Sequence, residues 1–209
     1  MSQNMTRLTQ QFVSSRPSIR DCLQLGLINY SALARAICDT YNLEQFDAVL
    51  MASRRLRERL KKRAAHEKAI IHLLKDAKIH AKTKMVVATI SRSRNLEVLD
   101  SFQREVKQSG GDFTLIDGEE VTTIITNREH VPHLRSILKK RIQRLSEDLA
   151  QISMIMDPRI ETTPGVVSYV YGLLYHNGVN IREEMSCWNN LMFIVEERDL
   201  ARALEIVSF

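Results

Sequence analysis

Residues 163–181 read TPGVVSYVYGLLYHNGVNI, and their reading decides the fold. The turn Thr163-Pro164-Gly165 opens a helix in which Pro164 suits the first turn, where its missing N–H has no intrahelical partner. Val166, Val170, Leu173 and Leu174 fall on one face, so the helix packs on a sheet. Asn177-Gly178 is a stop, Gly178 suiting the left-handed residue just past a helix end. Val179, Asn180 and Ile181 then start a strand. The order is strand, loop, exposed helix N-terminus, helix, strand. A helix N-terminus carries unpaired N–H groups and can receive a carboxylate, and Gly165 lets another group approach the backbone.

Working outward, Ile152, Met154 and Met156 form a strand ending at Asp157-Pro158. After the helix come a strand over 179–185, a hairpin tip at Cys187-Trp188-Asn189-Asn190 and a strand over 191–195. A closing helix follows Asp199, a candidate N-cap, and runs through Leu200, Ala203, Leu204 and Ile206. The PGV turn and the GVNI strand at this spacing resemble the ACT domain, the small regulatory module of amino-acid biosynthetic enzymes, especially the aspartokinase type. The resemblance runs from about Leu149 to Phe209. It implies a βαββαβ sandwich that binds an amino acid between paired domains, here through Thr163, Pro164, Gly165 and Val166 of one copy with Asn180 and Ile181 of a facing one. With the sequence closing at Phe209, the final strand is expected to be short, absent or supplied from elsewhere.

A weaker copy precedes this one. Residues 84–90 (KMVVATI) read as a strand, and 95–109 as a helix with Leu96, Leu99, Phe102 and Val106 on one side. Strands over 112–116 and 121–126 follow, then a helix from about His130 carrying Leu134, Ile137, Leu138, Ile142 and Leu145. TTIITNREHV from Thr122 matches MFIVEERDLA from Met192, a spacing of 70 residues (122 against 192). Arg92-Ser93-Arg94-Asn95 stands where the second copy has Thr163-Pro164-Gly165, so the first copy is expected to pair with the second in one continuous sheet rather than to bind ligand.

Charge is uneven. Residues 1–84 hold 16 Lys/Arg against 7 Asp/Glu, leaving 30 − 16 = 14 against 25 − 7 = 18 for the rest. The step near Lys84 suggests a boundary and asks what the basic third touches. That third is helical by pattern. INYSALARAI (28–37), with Ser31 as candidate cap, followed by FDAVLMASRRLRERL (46–60), resembles the second and third helices of a helix-turn-helix unit, Ala34 lying at the crossing. Arg54, Arg55, Arg59, Lys61 and Lys62 are candidate phosphate contacts and Gln45 a candidate reader of adenine. The alternative for this charge run is a solvated helix face.

Other chemistries find little support. His130 and His133 flank Pro132 with no third metal ligand in view, and no phosphate-binding glycine loop or nucleophile elbow occurs. Trp188 reads as a ligand lid or, more simply, an interface aromatic. Cys22, Cys38 and Cys187 are too scattered for a disulfide framework. A polar start (1–11) and the lack of a long apolar run suggest a cytoplasmic protein with no membrane partner.

The expected architecture is therefore α+β: a helix-turn-helix-like helical domain (1–76) followed by two tandem ferredoxin-like (βαββα) ACT repeats, a degenerate one over 77–148 and a second over 149–209. The expected function is non-enzymatic, with no cofactor and no metal. It is an amino-acid-responsive homodimer that binds DNA through its helices. The alternative is a free-standing allosteric subunit of an amino-acid biosynthetic enzyme such as homoserine dehydrogenase or aspartokinase.

Overall fold

The computed structural model describes residues 5–61, 65–91 and 97–209, with the side chains of 61 and 65–68 left aside. The expectation for Arg92-Ser93-Arg94-Asn95 therefore lies outside the described residues, as does Lys62. The chain divides into two compact units, Met1–Ala69 and Ile70–Phe209.

The first unit is helical: α1 (Met5–Ser14), α2 (Pro17–Leu25), α3 (Tyr30–Tyr41), α4 (Phe46–Lys61) and the start of α5 (Ala65–Lys75). Helix α1, absent from the sequence expectations, buries one face through Thr9, Phe12 and Val13 at helical spacing. Gly26 closes α2 with φ 80, a left-handed conformation that glycine adopts without a Cβ clash. The cap of α3 is Asn29, not Ser31: its Oδ1 accepts the Ala32 N–H at 3.0 Å. Ala34 is fully buried among Phe12, Leu23, Leu33, Ile37, Val49 and Leu56, which form this unit's core.

The second unit is an antiparallel six-stranded sheet in the order β2-β3-β1-β4-β6-β5. Its elements run β1 (Lys78–Ser91), α6 (Glu97–Gln108), β2 (Phe113–Asp117), β3 (Val121–Asn127) and α7 (Val131–Leu138), then β4 (Ile142–Ile155), α8 (Val166–His176), β5 (Ile181–Cys187), β6 (Asn190–Glu196) and α9 (Leu200–Val207). The same order, β-α-β-β-α, thus occurs twice. The halves stand 69 residues apart at their third strands (121 against 190), one fewer than the sequence match suggests. Helices cover one face over two cores. Ala88, Ile90, Phe102, Val106, Ile124 and Leu134 form one, and Ile152, Met154, Val170, Leu174, Phe193 and Ala203 the other. The last turns of α5 add Ile70, Leu73 and Leu74 to the second. Met85, Val87, Ile125, Leu149 and Ile194 cluster on the opposite face, with Ile116 and Met185 packed against them.

Both first strands are about twice their expected length, and this resolves the missing final strand. Strand β1 begins at Lys78, so the charge step at Lys84 falls inside it. Its residues 78–82 pair with 151–155 of β4, on the edge where a final strand would lie. Conversely α7 ends at Leu138, and Ile142 and Leu145, expected on the helix, belong to β4 and pair beside 88–90 of β1. The two strands pair with each other on both sides of a bulge, and past it each gains its second neighbour, β3 for β1 from Met85 and β6 for β4 from Leu149. Lys84 and Asp148, both at φ 56, mark those bends.

Across the bends the halves are tied by an ion pair and by a carboxylate on a backbone N–H. Arg128, just past β3, donates from Nη1 to Asp148 Oδ1 at 3.1 Å and has Glu147 Oε2 3.7 Å from Nε. Glu197, just past β6, accepts the Lys84 backbone N–H through Oε2 at 3.4 Å.

Candidate functional site

The loop from β4 to α8 is held at both ends. Asn189, in the β5–β6 turn, donates from Nδ2 to the Met156 carbonyl at 2.6 Å, and its own carbonyl accepts the Met156 N–H at 2.9 Å. Asp157 accepts the Arg159 N–H at 2.8 Å and starts a short 3-10 turn over Pro158–Thr162. Its carboxylate also takes the Arg159 Nε–H at 2.9 Å, which holds the Asp157 pKa below the usual range. Thr163 donates its hydroxyl to the Arg159 carbonyl at 2.8 Å. That donor is spent inside the loop.

Pro164 lies in the turn before the helix rather than in its first turn, and Gly165 is the N-cap with φ 95. No side chain caps α8. Its first intrahelical bond is Tyr169 N–H to the Gly165 carbonyl at 2.8 Å, so the N–H groups of Val166, Val167 and Ser168 precede the ladder. Val166 is buried in the core and offers only its backbone, whereas Val167 is 42% exposed on the first turn. A Cβ on Gly165 would stand 3.4 Å from Ile70 Cδ1. The left-handed φ would strain any side chain there whatever the space. Gly165→Val is thus a destabilising change.

The structure does not bring the two sets of expected ligand residues together within one chain. Thr163, Pro164, Gly165 and Val166 precede α8, and Asn180 and Ile181 follow it at the start of β5. The helix has 11 residues, which at 1.5 Å per residue spans roughly 16 Å. Asn180 is exposed and Ile181 half-buried. Arg182, to which the sequence alone assigns no role, bulges out of the ladder. It donates to Glu196 Oε1 at 3.0 Å and to Ser146 Oγ at 3.2 Å, tying β5 across the sheet to β4. Asp199 precedes α9 with no side-chain cap bond, and Trp188 is exposed at the hairpin tip with φ 54.

In the helical unit, Arg54, Arg55 and Arg59 are exposed on α4, and Gln45 is exposed just before it. Arg54 lies nine positions beyond Gln45, about 14 Å along a helix. Lys61 closes α4, its side chain outside the described ones. His133 Nδ1 lies 2.9 Å from Glu105 Oε1, and no group of three His, Cys, Asp or Glu able to hold a metal occurs among the described residues. No described helix is long and apolar enough to cross a membrane.

No family model matches the chain. No curated protein matches it by sequence. Solved structures do resemble it. Aspartate kinase from Clostridium acetobutylicum superposes with a TM-score of 0.52 at 15% identity, covering 62% of this chain and 33% of its own. The regulatory subunit of aspartate kinase from Thermus thermophilus gives 0.50 at 13% identity, covering 63% of this chain and 94% of its own. A structure of the aspartokinase alpha and beta subunits gives 0.50 at 13% identity over 62% and 90%. The first unit, about a third of the chain, is too short to supply such a match, which must include much of the sheet. This chain spans about a third of the length of the Clostridium kinase. At these identities the likeness is one of fold: the α+β fold found in aspartate kinase regulatory subunits.

Proposed function

We propose that the sheet unit is a pair of tandem ACT repeats of the aspartokinase type, and that the protein is an allosteric regulatory subunit that binds an amino acid and acts on an amino-acid biosynthetic enzyme such as aspartokinase or homoserine dehydrogenase. The observation that carries this is the uncapped N-terminus of α8 behind Gly165, on a sheet in which each first strand takes the other as neighbour. The likeness to the Thermus regulatory subunit over nearly all of its length supports the same reading. The amino-acid carboxylate meets the N–H groups after Gly165, with Thr163 and Pro164 at the rim. Asn180 and Ile181 line the other side from a second copy, since one chain holds them a helix length away. A homodimer follows from that distance. DNA binding by the helices ranks behind this reading: exposed Arg54, Arg55 and Arg59 favour it, but the base-reading candidate Gln45 lies at the far end of α4.

The test is thermal unfolding with each of the twenty amino acids, for wild type and Val167→Asp. A ligand at a hundredfold excess over Kd stabilises the native state by about 2.7 kcal/mol. The variant puts a carboxylate where the ligand's would sit, and an acidic side chain in a first helical turn preserves the helix. One amino acid should stabilise wild type and leave Val167→Asp unmoved. No shift with any amino acid, or an equal shift in the variant, removes the site from α8.

A further inference from the structure

The helical unit holds a feature that the amino-acid reading does not use. Tyr30, Arg54, Arg55, Arg57 and Glu58 surround a hollow of about 350 Å³. Arg54 stands over the Tyr30 ring, its guanidinium carbon 5.9 Å from the centroid. Arg57 lies against the backbone at Gly26, so closely that a Cβ there would overlap Nη2. Gly26, at φ 80, is where the chain leaves α2 with nothing in the way of that guanidinium.

Three cationic groups thus meet one acidic residue, Glu58. Among the described residues no carboxylate pairs with Arg54, Arg55 or Arg57. Arg57 Nε is buried with no hydrogen-bond acceptor among the described residues, and a buried donor left unmade costs about 1–3 kcal/mol, more when charged. That nitrogen is itself closed to solvent, so an anion in the hollow would meet the Nη groups of the same guanidinium and offset part of its buried charge. The positive end of α3 adds to the field, because Tyr30 is its first residue and Asn29 takes the Ala32 N–H with its side chain and the Leu33 N–H with its carbonyl, so that the Tyr30 and Ser31 N–H groups precede the ladder. Guanidinium groups meet phosphoryl oxygens in two parallel hydrogen bonds, a geometry that ammonium groups lack.

We propose that this hollow is a phosphoryl-binding site for a small phosphorylated ligand of the nucleoside di- or triphosphate class. Arg54, Arg55 and Arg57 hold the phosphoryl oxygens, and Tyr30 forms one wall. The three arginines are gathered within four residues of one helix, which suits a compact polyphosphate better than a strand tracked along α4. Asp47 in the first turn and Glu44 before it make the other end of that helix unfavourable for a polyanion.

Calorimetric titration of the full chain with inorganic pyrophosphate and with ATP tests this, using Arg54→Gln, Arg57→Gln and, outside the hollow, Arg59→Gln. Saturable one-site binding of both ligands is expected for wild type and Arg59→Gln. Each lost charge-assisted pair should weaken binding about tenfold in the other two variants. Should Arg57→Gln unfold by circular dichroism, exposed Arg54→Gln carries the test alone. Absence of saturable binding, ATP binding without pyrophosphate binding, or equal weakening by Arg59→Gln overturns the proposal. So does duplex DNA binding that pyrophosphate does not displace and that Arg59→Gln weakens as much as Arg54→Gln. The amino-acid panel is independent of every one of these outcomes.

Discussion

Strands β1 and β4 end on the same eight-position run of exposure and burial, and each bends at a left-handed residue, Lys84 in one and Asp148 in the other. Ala88 faces Ile124 in the first half as Ile152 faces Phe193 in the second. Gly110 and Gly178, at φ 81 and 71, end the first helix of each half. The chemistry laid on this shared backbone differs. Lys84 answers to Asp148 and Arg128 to Glu197, so cation in one half becomes anion in the other. The sign reversal lets Arg128 pair with Asp148, while Glu197 meets the backbone N–H of Lys84 rather than its ammonium. Two identical halves would bring like charges together there. Divergence at the bends therefore favours pairing between the halves over pairing of either with itself.

The largest effect that can break this comparison lies in the cores. Phe193 and Ile124 are each fully buried at matching positions of β6 and β3. Phe193→Ala should cost about 3–5 kcal/mol and Ile124→Ala about 2–5 kcal/mol. Because 78–82 and 142–146 each complete the other half's sheet, both variants should unfold the sheet in one transition, followed by urea with circular dichroism. Two resolved transitions, one moved by each variant, would mean that the halves are independent despite the shared strands.

A smaller effect sharpens the account of the bends. Non-glycine residues at left-handed φ cost roughly 1–2 kcal/mol, so Lys84→Gly should stabilise by up to about 1 kcal/mol once the flexibility of the unfolded chain is counted. Asp148→Gly relieves the same strain but loses the Arg128 pair. That pair is 57% and 74% exposed, so its loss offsets only a fraction of 1 kcal/mol. The gain should be larger at Lys84 than at Asp148 in urea midpoints. The reverse order would mean that the clasp, not the backbone, dominates the junction.

The elements that could be read from the sequence are those whose signal is local. The α8 helix is bounded by its own turn and stop, and β3 and β6 are apolar runs too short for helices. The segments KIHAKT (78–83) and IQRLSED (142–148) were unreadable for a physical reason: their strand character comes from pairing with each other across the sheet. Alone, the first reads as polar, and in the second Ile142 and Leu145 continue the helical spacing of Leu134 and Leu138. The Gly165 loop was visible as a candidate site because Pro and Gly punctuate it. Its distance from Asn180 depends on how α8 runs along the sheet. Arg57 was legible as one more cation. Its burial depends on Gly26, on a different helix, which no spacing within α4 reveals.

The smallest effect concerns one position on the sheet face opposite α6–α9. Ile125 and Ile194 occupy matching places in its apolar cluster, and opposite them stand Thr114 in the first half and Glu183 in the second. Burial beside that cluster pushes the Glu183 pKa up, and Arg144 and Arg182 pull it only partly back. A carboxyl whose folded pKa is raised binds its proton more tightly in the native state. It therefore leaves stability intact below the ordinary carboxylate range and takes some away as pH rises from that range through the folded value. Above the folded value Glu183 is ionised in both states and the native state bears the desolvation. Glu183→Thr, which imports the residue of the first half, should raise the midpoint of thermal unfolding at pH 7. It should bring little change at pH 3, where the carboxyl is protonated folded or unfolded. The gain is small because the side chain keeps much of its contact with water. Equal midpoints at pH 7 would mean that Arg144 and Arg182 already offset the burial, and that the two halves match on this face in energy although not in sequence.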